Sequence, residues 1–271
     1  MIKYIVIAAA FLLISPVLSA QTTAYHSQMV SFKSGEGAVT FAGTLTLPDA
    51  VGEVPAIVIV SGAGKQDRDG NMAGHPLFAQ IAAYLSENGF AVLRLDDRGT
   101  GRTTGIAESE TVNELADDAL LALKYLKGVP GINDKKIGLL GHGEGGAAIA
   151  VAAGKSKDVA FLISIAGMAT SGVNAGMGYY DPAKTLKKVQ VPILALHGDR
   201  DLVIPAEQHL DNWKNYSANG GNRKVRTVLL SGLNHLFLPC RECTVAEYPK
   251  IRSGFSNRAL GIITRWLQNN I

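Results

Sequence analysis

Three short segments carry residue types that do nucleophilic and proton-transfer chemistry, and each follows a run that reads as a β-strand. The first is G141-H-G-E-G145, between the run Lys136–Leu140 and a small-residue helix expected over Gly145–Ala153. Strand, tight turn and helix form the setting of the pattern G-x-S-x-G, which lifts a nucleophile clear of a sheet. Its glycines are needed because the turn is tight and the helix packs close to the strands. Here the central position holds Gly143 where serine is expected. The second segment is His197-Gly-Asp-Arg-Asp-Leu-Val-Ile-Pro205, whose Asp201 is placed to orient a histidine, with Asp199 as its rival. The third is S231-G-L-N-H-L-F237, whose His235 is the only histidine on a loop after the last strand. Glycine has no side chain with which to form a covalent intermediate, so nucleophilic catalysis from position 143 is excluded for this chain.

The elements that must position these groups alternate. Gln28–Ser34 and Ala38–Pro48 read as two antiparallel strands about the turn Gly35-Glu36-Gly37. Strands are expected at Ala56–Val60, Ala91–Leu95, Lys136–Leu140, Val159–Ile165, Val191–Leu196 and Lys224–Leu230. Helices are expected at Pro76–Asn88, Thr111–Lys127, Ala206–Tyr216 and Ser256–Asn270, with Thr111 and Glu114 as a capping box. Ala169–Gly178 is the most linker-like stretch. Alternation of this kind implies a mostly parallel sheet covered on both faces. Ligands then bind beyond the carboxyl ends of the strands, where the three segments lie.

Composition narrows the classes. Charged residues make up 18% and the net charge is +3, too weak and too scattered for a nucleic-acid footprint; Lys187-Lys188 reads as solvated surface. Lys3, the apolar run Ile5–Ile14 and the small residues up to Ala20 read as a signal peptide over residues 1–20. The run is too short to span a bilayer comfortably, and no cysteine at the cleavage point offers a lipid anchor. A periplasmic or secreted protein beginning near Gln21 is the expectation. The only cysteines, Cys240 and Cys243, then read as a disulfide. A redox motif would open a helix beside a βαβ unit, whereas this C-R-E-C follows a loop and Pro239. Two cysteines alone make no zinc site. His142 and His197 read as packing residues, and His26, His75 and His209 share no metal-ligand spacing.

Nucleophile position, Asp and His occur here in the chain order of an α/β-hydrolase triad. The chain resembles that superfamily, and within it a branch of exported bacterial serine esterases. The likeness rests on S61-G-A-G-K-Q-D-R-D-G70, D96-D-R-G-T-G101, G141-H-G-E-G-G146, the His197–Pro205 stretch and G232-L-N-H-L-F237. It implies the α/β-hydrolase fold: a mostly parallel eight-stranded sheet with helices on both faces, in a single domain over residues 21–271. It implies hydrolysis of a small-molecule ester or acyl substrate with no cofactor and no metal. Asp201 would be the acid and His235 the general base. Glu144, with Ala63 or Gly64, would supply backbone N–H groups to an oxyanion hole. Asp97 and Arg98 would brace a turn, and Arg68 and Asp69 a loop.

Two departures from the branch stand out. One is Gly143. The other is the short segment between the Val159–Ile165 strand and Val191, which implies a lid reduced or absent. Four functions fit the glycine. The chain is an esterase scaffold whose serine was replaced; a hydrolase using a His235-activated water; a ligand-binding pseudoenzyme; or a His235-dependent catalyst of a non-hydrolytic reaction, in that order.

Overall fold

The computed structural model of the chain describes residues 24–35, 37–62, 64–106, 111–174 and 178–271. The expected signal peptide and Glu36 of the first turn lie outside these residues. Eight strands form one sheet: β1 (Tyr25–Lys33), β2 (Thr40–Pro48), β3 (Val54–Val60), β4 (Ala91–Leu95), β5 (Ile132–His142), β6 (Leu162–Ile165), β7 (Ile193–Gly198) and β8 (Val225–Leu230). Their order is β1-β2-β4-β3-β5-β6-β7-β8. β1 and β2 run antiparallel to each other, and β2 runs antiparallel to β4. Every later pairing is parallel.

The central strands are apolar at successive positions because both faces are covered. Along β3, Ala56, Val58 and Val60 join one core while Ile57 and Ile59 join the other. The first core is closed by helices α2 (Val112–Lys127), α3 (Glu144–Lys155) and α5 (Ala206–Asn219), together with the short α4 (Pro182–Leu186). The second is closed by α1 (Leu77–Glu87) and α6 (Asn257–Asn270), whose Trp266 meets Phe161 edge to face. The expected capping box is present: Thr111 Oγ1 accepts from the Glu114 N–H and Glu114 Oε2 from the Thr111 N–H.

From β3 the chain crosses by α1 to β4, then returns by α2 to β5 on the other side of β3. The strand order therefore reverses at β3, and the carboxyl ends of β3 and β5 lie side by side with Val60 opposite Gly141. An open α/β sheet binds ligands at such a reversal.

Several elements differ from expectation. β5 begins four residues before Lys136, at buried Ile132, which pairs with Val54; a register shift follows, and Asp134, Lys135 and Lys136 are exposed before the strand turns apolar. Ala169–Gly178 is not simply a linker, since Gly172–Asn174 and Gly178–Tyr180 pair as a small ribbon. The Asp181 side chain caps α4. Ribbon and α4 are the only regular structure between β6 and β7 among the described residues, in keeping with a reduced lid.

Two glycines of α3 give a paired test of how closely it packs. A Cβ on Gly145 would run into the carbonyls of Val60 and Ser61, whereas one on Gly154 would lie 3.8 Å from the Lys188 side chain, an ordinary contact. Gly145→Ala is expected to destabilise by about 1–3 kcal/mol or more. Gly154→Ala should be neutral or stabilising by up to about 1 kcal/mol. Urea unfolding of the two variants separates these outcomes.

Candidate active site

β5 ends in the turn that the glycine pattern announced. Gly143 is the N-cap of α3, with φ 58° and ψ −121°. Three backbone hydrogen bonds hold it there. Its N–H donates to the Ile165 carbonyl, and its own carbonyl accepts from the Met168 and Gly146 N–H groups. A Cβ at this position would stand 3.7 Å from His235 Nε2 and 3.8 Å from its Cε1. A serine hydroxyl extends one further bond from that point, so a rotamer toward the ring brings it within hydrogen-bonding reach of Nε2.

Of the two candidate carboxylates, Asp201 meets the histidine. His235 Nδ1 donates to Asp201 Oδ2 at 2.8 Å, while Asp199 turns away to accept the Gly232 N–H at 2.7 Å. A carboxylate only accepts, so it fixes the ring proton on Nδ1 and leaves the Nε2 lone pair facing residue 143. Asp201 Oδ1 accepts the N–H groups of Val203 and Ile204. Burial pulls the Asp201 carboxyl upward, but the bond and charge of His235 and these two N–H groups outweigh it and hold the carboxyl below its ordinary range.

His142 does more than pack. Its Nε2–H donates to the His235 carbonyl at 3.0 Å, so the turn that carries residue 143 is tied directly to the loop that carries His235. Asn234 Oδ1 shapes that loop from within by accepting the N–H groups of Leu236 and Leu238. His197 is buried, with Nε2 3.7 Å from Asp201 Oδ2. His209 Nδ1 accepts the Ala169 N–H, His75 bonds the Tyr248 carbonyl, and His26 faces Asp49 at the surface. Among the described residues, no group of three or more His, Cys, Asp or Glu is placed to hold a metal ion.

The loop after β3 lies against the turn. A Cβ on Gly62 would fall 3.0 Å from Glu144 Oε2, 3.1 Å from the His142 carbonyl and 3.5 Å from the Glu144 nitrogen. The Glu144 N–H opens α3, where helix amides point outward. Gly64 has φ 93° and open space around it; Ala63, the other expected oxyanion residue, lies outside the described residues. The expected braces form a carboxylate network. Asp97 accepts Ser61 Oγ at 2.6 Å and the Gln66 N–H at 2.8 Å. Asp96 accepts the Arg68 guanidinium, Asp69 pairs with Arg94, and Arg98 grips Asp118 with two bonds. Downstream of His235, Cys240 and Cys243 are bridged, and Glu247 accepts the N–H groups of Arg241, Glu242 and Cys243. Sequence reading assigned nothing to Glu247; the signal was a carboxylate four residues after a C-x-x-C turn.

The buried histidines set a pH dependence. Burial drives His142 down to about 3, reinforced by His235, and His197 down to about 4 against the pull of Asp201. Unfolded, both titrate near ~6.5. Below that pH the unfolded chain binds protons that the native state refuses. The contribution of neutral histidine is therefore complete above ~6.5 and is lost as pH falls toward those depressed values. Asp97, pushed up to about 6 by burial despite its bonds from Ser61 and Gln66, acts in the opposite sense over the lower part of this range. Two histidines against one carboxyl leave a net decline. The urea midpoint is expected to fall from about pH 7 to about pH 5, and His142→Gln to flatten the fall; equal slopes would remove His142 from this account.

Comparison with known proteins agrees with this fold. Residues 70–180 match the family model described as serine aminopeptidase, S33. Esterase EstD of Thermotoga maritima is 25% identical over 83% of this chain, which spans 65% of that protein's length. The Pyrococcus furiosus esterase PF2001 superposes with a TM-score of 0.69 at 13% identity, covering 92% of each chain. DcsB, solved in complex with its substrate analogue, superposes with a TM-score of 0.69 at 16% identity, covering 91% of this chain and 99% of its own. Sheet order and the matches to solved structures together show that this chain has the α/β-hydrolase fold.

Proposed function

We propose that this chain is a carboxylic-ester hydrolase scaffold in which the acyl-transfer nucleophile is absent at Gly143 and turnover is strongly impaired. One observation carries the reading: a Cβ at residue 143 would stand 3.7 Å from His235 Nε2, whose other ring nitrogen bonds Asp201 at 2.8 Å. In this reading a serine hydroxyl at 143 gives its proton to His235 as its oxygen attacks the ester carbonyl. The carbonyl oxygen becomes an oxyanion facing the Glu144 N–H. Collapse then expels the alkoxide, which takes the proton from His235 and leaves an acyl-enzyme; water, giving a proton to His235, then attacks the acyl carbon, and the serine oxygen leaves with that proton as the acid is released. Glycine removes the attacking atom and leaves the proton acceptor and the helix N-terminus in place. Loss of the serine in such a triad costs on the order of a million-fold in turnover, with about 10³–10⁴-fold over water remaining. Residues 1–20 serve as a cleaved export signal in this reading, which the bridged Cys240 and Cys243 support, since disulfides persist in oxidising compartments.

A second reading rests on the same space. With no side chain at 143, a water beside His235 Nε2 can take the serine's part. Its proton passes to His235, its oxygen attacks the carbonyl, and the leaving alkoxide recovers the proton. The mechanism is then direct hydrolysis without an acyl-enzyme.

Hydrolysis of p-nitrophenyl acetate and butyrate tests both, using the chain itself, Gly143→Ser, and His235→Ala in each background. The first reading expects turnover from Gly143→Ser alone, abolished by His235→Ala. Turnover by the glycine form that also depends on His235 establishes the water route. No turnover by any form defeats the ester reading and leaves a ligand-binding role. Serine at a backbone with φ 58° is strained by about 1–3 kcal/mol. Gly143→Ser is therefore expected to melt below the glycine form, and a serine form of equal or higher melting temperature contradicts the turn geometry.

A further inference from the structure

The segment after the base loop forms a groove of about 610 Å³ lined by Cys240, Arg241, Glu242, Glu247, Lys250 and Arg252 among others. Its charges do not balance locally. Glu247 is spent on its own loop, with Oε1 taken by the Arg241 N–H and Oε2 by the N–H groups of Glu242 and Cys243. Arg241, Lys250 and Arg252 are exposed, and none of the three forms an ion pair among the described residues. Against these three cations the described lining holds two carboxylates, Glu242 and Glu247, which leaves the groove an excess of positive charge.

The frame that carries Arg241 and Lys250 is cross-linked, and Arg252 follows two residues beyond it. The Cys240–Cys243 bridge closes a four-residue turn, and the Glu247 carboxylate cross-links that turn to the 3-10 helix Val245–Lys250. The Cys240 N–H donates to the Gly232 carbonyl, beside a β-bridge between Leu233 and Pro239. A cation cluster on a fixed frame loses less freedom on binding than one on a mobile loop. Guanidinium forks match phosphate and carboxylate oxygens in pairs, and an ammonium adds a point charge.

We propose that this groove binds a small multivalent oxyanion, a molecule with two or more adjacent phosphate or carboxylate groups. The site shares no residue with Gly143, Asp201 or His235, so it stands whether or not the chain hydrolyses esters. Binding driven by exposed charges weakens as salt rises.

Isothermal titration of the purified protein with sodium tripolyphosphate, and separately with citrate, tests the proposal at low salt and at 150 mM salt. Saturable one-site binding is expected, weakened at least about tenfold in Arg241→Gln/Arg252→Gln. Lys184→Gln/Lys188→Gln removes equal charge from a different groove and should leave the affinity within about twofold. Tighter binding of tripolyphosphate identifies a phosphate ligand, and tighter binding of citrate a carboxylate one. Equal weakening in both double variants means attraction to net charge alone and overturns the proposal, as does the absence of saturation with both probes. Circular dichroism melts matched to the parent exclude misfolding of the exposed-residue variants.

Discussion

The site depends on a backbone constraint at the carboxyl end of β5. Residue 143 is held at positive φ by hydrogen bonds from β6 and the segment after it, and α3 starts immediately beyond. The helix can start there because Gly145 admits the carbonyls of Val60 and Ser61 where a methyl group would not fit. The same close approach brings the Gly62 backbone against the first turn of α3. One contact between β3 and α3 thereby sets both the direction of residue 143 and the position of the loop after β3.

The Asp201–His235 pair is built separately and then joined to the turn. Asp201 is fixed by two amides of its own turn, His235 by Asp201, and the His235 loop by Asn234. His142 couples the halves, since it lies in the glycine turn and donates to the carbonyl of His235. Its burial as a neutral ring carries a proton-linked stability cost on acidification, which the coupling tolerates at neutral pH.

Much of this was legible in the residues. Strand–helix alternation, the glycine turn and the order of position 143, Asp201 and His235 follow local rules of periodicity and turn chemistry. So did the capping box and the disulfide. The spacing Gly198-x-x-Asp201-x-x-Ile204-Pro205 favoured Asp201 over Asp199, and in the structure Asp201 bonds His235 while Asp199 accepts the Gly232 N–H. What was not legible depends on contacts between distant segments. The His142 tie spans 93 residues, and β5 reaches back past exposed Asp134, Lys135 and Lys136 because Ile132 pairs with Val54 and enters the core. The Asp181-Pro182 pair that opens α4 carried a helix-start signal, but five residues are too few to show a period.

The glycine at 143 also bears on history. Its surroundings are complete for a hydroxymethyl group: an imidazole at contact distance, a buried carboxylate behind it and a helix amide beside it. Two of glycine's codons become serine codons by one base change. Where the codon is one of those two, a single nucleotide change places a hydroxymethyl group among supports that are already in place. Drift at Asp201 or His235 would close that return, because each would then need its own reversion.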